Sequence, residues 1–383
     1  MGANLDSKHR LIHQALGQDV DHVPSIGGWI GGAKVMASLA GISLEAYLAD
    51  PYHSAIRANK ALGVDGMVGL VYHQHADQIR SGSVEEQRFV GIEPEAILTY
   101  AATLPETEKE ILAAFDAAAV EAQLRQYFAD ARRDWLGMEP IANFWDLGGH
   151  FPLYHQFGYV AFLSACALYP EAVGKIWWVR SLHSREKAKI LARLYKELDL
   201  VPLLFCGEDL CNNQGPMVSP DFLRQQYFPT VKMILAPLVE QQVRIVCHCD
   251  GDVRPLIDDI LGCGFSGLQG FQFELGIDPY QLRDKRPTVG EKLLFFTGLS
   301  VTCELPFGTP QDVQAGIDWC HHWTDGGRGM FVFTSNVTGV EVPPGNIHAG
   351  YAHSQTLPVT GVRVHSQPPW PWGRRSATAT LNL

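Results

Sequence analysis

Two cysteines, a histidine and two aspartates fall within residues 247–252, inside the stretch VCHCDGDVRP that runs from 246 to 255. Residues of these types can hold a metal, exchange thiols or move protons at a substrate. The apolar run VRIV just ahead of them reads as a strand, and a strand sends alternate side chains to opposite faces. His248 and Asp250 then share one face with Val246, while Cys247 and Cys249 share the other with Ile245. A zinc site built from all four is geometrically awkward, and no C-x-x-C pair exists elsewhere in the chain to complete one. The cysteines read as small buried thiols turned towards a helix layer. His248 and Asp250 read as functional, because two ionisable groups at a buried strand end, followed by Gly251, are hard to explain as packing.

A second acidic strand end, Glu208-Asp209, closes the run LVPLLFCGED. A buried carboxylate needs a partner or a shifted pKa. Glu208 is therefore expected beside His248 as a metal ligand or an acid/base group, the alternative being a turn cap. His248, Asp250 and Glu208 form the expected catalytic set, and the same three are the expected ligands if zinc is bound.

The elements that must position these groups are eight near-continuously apolar runs, at 22–28, 63–73, 139–149, 200–209, 243–252, 265–272, 293–301 and 329–336. Such runs suit strands buried on both faces. Helical periodicity lies between them, and Ser219-Pro220-Asp221 marks one helix start with a cap residue, a first-turn proline and an acid. Strand and helix alternating eight times read as a single α/β domain, a (β/α)8 TIM-type barrel. An open doubly wound sheet is the alternative, but no G-x-G-x-x-G follows a strand. In a barrel the working groups lie at the C-terminal strand ends. That places Trp29, His73, Trp145, Asp146, Gln272 and Asn336 among the expected substrate-binding residues. The charged, alanine-rich residues 105–135 read as a helical insertion on the outside. Residues 1–353 are expected to form the barrel. Residues 354–383, which contain clustered prolines and no acidic residue, are expected to form a disordered or atypical tail.

The chain has 383 residues and a net charge of −11, with 46% hydrophobic and 19% charged residues. Such an acidic balance argues against nucleic acid or an anionic membrane as a partner. No apolar run approaches the ~18 residues that a membrane span needs. The opening MGANLDSKHR has no apolar leader, and the eight cysteines lie mostly beside apolar runs, as reduced thiols do; a cytoplasmic location is expected.

Several stretches in order carry a family resemblance: GISLEAYLADP, LGVDG, GEDLCNNQGPMVSPDFLRQQYFPTVK, HCDGDVRPLIDDILGCGFSGLQGFQ, LPFGTPQDVQ and VPPGNIHAGY. They cover most of the chain, which resembles the uroporphyrinogen decarboxylase superfamily of (β/α)8 barrels. That superfamily includes haem-pathway decarboxylases and corrinoid-linked methyltransferases, some of them O-demethylating. The decarboxylases carry an arginine-bearing segment after the first strand; here residues 27–41 hold no arginine and only Lys34. Their aspartate after the second strand has no clear match, since Asp77 falls late, and their histidine before the P-P-x-N stretch falls on Asn336.

The segments around 207–219 and 248–252 look closer to the methyltransferase branch. There an H-x-C pair and a later cysteine hold zinc. His248 matches the histidine, while Asp250 and Asn336 stand in the two cysteine positions. The resemblance implies an enzyme that moves a methyl group between a small methylated substrate and a corrinoid carried on a partner protein, with zinc held by a histidine–carboxylate set. A uroporphyrinogen decarboxylase, or a related cofactor-free decarboxylase or lyase, is the first alternative. A non-catalytic barrel that binds a corrinoid or a partner is the second.

Overall fold

In a computed structural model describing residues 4–75, 89, 91–270 and 272–373, short parallel strands follow one another around a closed ring. They are β1 (Ile26–Gly27), β2 (Gly66–Met67), β3 (Glu139–Pro140 and Ala142–Asn143), β4 (Leu203–Gly207), β5 (Arg244–His248), β6 (Gly267–Gln269), β7 (Leu294–Leu299) and β8 (Met330–Thr334). Each strand pairs in parallel with its neighbours in sequence. The two halves of β3 divide the work, the first pairing with β2 and the second with β4. A bridge from Ser25 to Val332, with Val332 N donating to Pro24 O at 2.9 Å, joins β8 back to β1. The fold is the expected TIM-type barrel, and every barrel strand lies within one of the eight apolar runs.

Strand alternation divides the core in two. Ile26, Val68, Ile141, Leu203, Phe205, Val246, Leu294, Phe296, Phe331 and Phe333 fill the barrel interior. Leu204, Cys206, Ile245, Cys247, Leu268, Phe295 and Val332 face the helix layer. Because β4, β5 and β8 are buried along their whole length, neither face can be polar until the strand ends.

The insertion between β2 and β3 is helical, as expected, and begins earlier than its charge pattern suggests: Glu95–Thr103, Glu108–Leu112 and Ala117–Asp134. Thr107 and Glu110 form a capping box at the second of these helices. The third buries Leu124, Phe128 and Ala131, a stripe at helical spacing. It is tied to the long helix Pro170–Glu197 by Arg193–Glu121 at 2.6 Å and by Arg125 with Glu197.

Of residues 354–383, expected to form a disordered or atypical tail, the structure describes residues 354–373. Their carbonyls are taken up by barrel side chains. Pro368 O accepts from Trp319 Nε1 at 2.8 Å and Tyr280 OH at 3.0 Å, and Val364 O accepts from Arg283. Arg363 pairs with Asp284 at 2.6 Å, and Trp370 packs on Phe273 and Trp319. Proline-rich sequence lacks its own donors, so it was legible as non-helical but not as docked. Residues 374–383 and Asp77 lie outside the described residues. Among the described residues, no helix is long and apolar enough to cross a membrane.

Candidate active site

β5 carries His248 at its last position, on the interior face with Val246, and leaves it only 5% exposed. Cys247 and Cys249 turn outward into the helix-side core, as the alternation requires. Burial pushes the Cys247 thiol well above its usual range; hydrogen bonding to Cys211, then burial, does the same to Cys249. Both are therefore neutral and inert.

Three ligand-type atoms converge on one point at the barrel mouth, from Asp209, His248 and Asp250, all within 4.8 Å of one another. His248 Nε2 lies 3.4 Å from Asp209 Oδ1 and 3.8 Å from Asp250 Oδ1. Each group is also held from behind. His248 Nδ1 hydrogen-bonds Gln269 Oε1. Asp209 Oδ1 accepts from the backbone N–H of Asp250 at 3.1 Å. Asp250 Oδ2 accepts from Asn336 Nδ2 at 2.5 Å, and Asn336 Oδ1 accepts from Val337 N at 2.6 Å. The close approach of β4 to β5 needs Gly207, where a Cβ would lie 2.1 Å from His248 O. Gly251, at φ +81°, lets the next turn pass against Asn212, whose carbonyl a Cβ would meet at 2.5 Å.

The electrostatics follow from this packing. Burial alone would lower the His248 pKa, but Asp209, Asp250 and Gln269 together raise it above the ordinary imidazole value. Burial raises Asp250, only partly opposed by His248 and Asn336. Burial also acts upward on Asp209, yet His248 and the Asp250 N–H hold it below the usual carboxylate range.

Glu208 is not the carboxylate beside His248; Asp209 is. The reason is the same alternation. Leu203 and Phe205 face the interior and Leu204 and Cys206 face outward, so Asp209 continues the interior series and Glu208 the outer one. Burial, with Asp209 and Asp146 nearby, drives the Glu208 carboxyl well above its usual range.

Of the expected substrate-binding residues, Trp29 and Trp145 meet at the triad. Their rings stack at 6.0 Å and turn faces or edges to His248 at 5.3 and 5.6 Å. Trp29 is buried, while Trp145 is 38% exposed and forms the wet side of this wall. Gln272 holds the loop after β5 by accepting from Gly251 N at 2.6 Å. With Asn212, Asn213, Gln214 and Asp250 it lines an open cavity of about 530 Å³ beside the triad. Asn336 acts through Asp250, as described. Asp146 is turned elsewhere: it pairs with Lys187 Nζ at 2.8 Å, in a cleft against the insertion. His73 makes no hydrogen bond to the triad; its backbone N–H donates to Tyr47 OH at 3.1 Å. In the sequence, Asp209 and Gln269 are both visible as polar residues at strand ends, but neither is given a role there. Parity along β4 could have chosen the first over Glu208; nothing local sets the second apart from Gln272.

The triad fits a small divalent cation. Zinc bonds to nitrogen and oxygen at about 2.0–2.1 Å, which puts tetrahedral ligands roughly 3.3 Å apart, close to the spacing here. One imidazole and two carboxylates are acceptable to it, and three protein ligands leave a fourth position open, as in catalytic sites.

No protein-family model matches the chain, and none of the curated proteins compared with it matches. Among solved structures, a methyltransferase from Methanosarcina mazei is similar over 92% of this chain and 99% of its own, with a TM-score of 0.57 and 14% sequence identity. At that identity the likeness shows the fold alone: the two chains share the barrel.

Proposed function

We propose that this chain is a methyltransferase-like enzyme, moving a methyl group between a small methylated substrate and a corrinoid carried by a partner protein. The observation that carries the reading is the convergence of Asp209, His248 and Asp250 at the mouth of a barrel like that of a methyltransferase. Asp209, His248 and Asp250 would hold zinc. When bound there, the ion supplies a Lewis acid that makes the methylated heteroatom a better leaving group. The Trp29–Trp145 wall binds the apolar part of the substrate and keeps water from one side of the triad. The carboxamides of Asn212, Asn213, Gln214 and Gln272 hydrogen-bond its polar part.

A cofactor-free carboxy-lyase is the second reading. The raised pKa values of His248 and Asp250 favour it, since either group could then act as a general acid. Two assays separate the readings. Protein purified without chelator should carry about one zinc per chain and methylate a reduced corrinoid from a methylated donor. Turnover of uroporphyrinogen by zinc-free protein would replace the first reading with the second. Neither activity, with corrinoid protein still bound, would favour a non-catalytic barrel.

A further inference from the structure

Gln269 lies on β6, 3% exposed, and reaches across the barrel mouth between β5 and β8. Its amide is bonded at both ends. Nε2 donates to Thr334 O at 2.7 Å and to Ser335 O at 2.9 Å. Oε1 faces His248 Nδ1. Turning the amide over would set Oε1 against two backbone carbonyl oxygens, acceptor against acceptor, inside the protein. The two carbonyls therefore decide which end of the amide meets the imidazole. An amide oxygen only accepts, so Nδ1 must donate.

We propose that Gln269 is a positioning residue that locks His248 in the Nδ1–H tautomer, leaving the Nε2 lone pair aimed into the gap between Asp209 and Asp250. The consequence is specific to this site. A neutral ring in that tautomer holds its lone pair against two carboxylate oxygens, so Nε2 takes up either a proton, giving an imidazolium, or a metal cation. Without Gln269 the ring could take the other neutral tautomer, with Nε2–H donating to Asp209, and that form cannot bind a metal through Nε2. One glutamine thus keeps Nε2 as the nitrogen open to a cation. The metal-binding consequence rests on the zinc-holding site proposed above; the tautomer does not.

The test is two-bond ¹H–¹⁵N NMR on the full chain with ¹⁵N-labelled histidine, the His248 signal being assigned by its loss in His248→Gln. In the zinc-free protein at a pH where the ring is neutral, the expected signature is a protonated Nδ1 and a bare Nε2. With zinc added, only Nε2 should move to a metal-bound shift. In Gln269→Leu the neutral ring should change to the Nε2–H tautomer, and zinc affinity measured by calorimetry should fall by about 10–100-fold, the usual loss for an outer partner of a ligating histidine. A merely structural role would lower the melting temperature without changing the tautomer. An Nε2–H ring in the unaltered protein would overturn the proposal. So would a Gln269→Leu protein with unchanged tautomer and zinc affinity. If Gln269→Leu does not fold, the tautomer of the unaltered protein decides alone. Because that signature is read without turnover, it supports the lock even where no methyl transfer is found.

Discussion

Two regions of the barrel mouth hold carboxyl groups, and they treat them in opposite ways. After β4 and β5, Asp209 and Asp250 share one histidine, keep a side exposed to solvent, and bring their oxygens within 4.8 Å of each other and of the imidazole. After β7, Glu304 is 5% exposed and receives one hydrogen bond, from Trp370 Nε1 at 2.8 Å. Its Oε2 has no partner among the described residues, and the space around it, near 10 Å³, has room for about one water. Burial raises the Glu304 pKa to about 7, despite its backbone and Trp370 contacts. The difference teaches that burial of a carboxyl is not by itself a mark of function. What distinguishes the first region is convergence of three groups from two adjacent strand ends on a common point; the second is a lone acid under the docked C-terminal segment.

That contrast can be broken or sharpened. The largest expected effect is that of His248→Ala, which removes a ligand outright. Zinc affinity should fall by more than the roughly 10–100-fold typical of an outer partner, and methyl transfer should fall with it. Unchanged calorimetric zinc binding would dismiss the triad as a metal site.

Glu304 should show itself through pH instead. Its folded pKa of about 7 exceeds the 4.5 of the free side chain, so the folded protein holds this proton more tightly than the unfolded chain. Stability should therefore decline as pH rises from 4.5 to 7 and level off above, by about 3 kcal/mol at 1.36 kcal/mol per pKa unit. Denaturant unfolding across this range should show the decline in the native chain and lose that component in Glu304→Gln.

A finer comparison sets neighbours against each other. Asp209→Asn should weaken zinc binding by about tenfold or more, whereas Glu208→Gln should stay within about twofold, because Glu208 continues the outer series of β4 and is not one of the three converging groups. The reverse ranking would restore Glu208 as the ligand. The smallest effect is expected from Trp370→Ala, which leaves a buried carboxyl oxygen without its donor. It should cost about 1–3 kcal/mol in thermal unfolding and leave zinc affinity alone. A change in zinc affinity would mean that the two regions communicate.

Much of the fold was legible because buried parallel strands have to be apolar throughout, and all eight such runs contain barrel strands. Within the site, His248 and Asp250 were legible from local alternation, and Trp29 and Trp145 from their places at strand ends. The same rule had the power to choose Asp209 over Glu208, but reading it required the inside parity of β4, which Phe205 reveals only once packed in the interior. The docking of residues 354–373 was hidden, because their hydrogen-bond partners lie on helices and loops tens of residues away.

By itself, then, the order of residues determined the strands, their facing, and a histidine and an aspartate turned together into the barrel. These are properties of two-residue periodicity and near-neighbour sterics. Tertiary structure alone decided that Asp209 completes the triad, that two distant tryptophans wall it, and that Gln269 holds the imidazole from behind. Those residues lie on separate strands, and only ring closure sets the strand ends at the distances where their charges and hydrogen bonds can act.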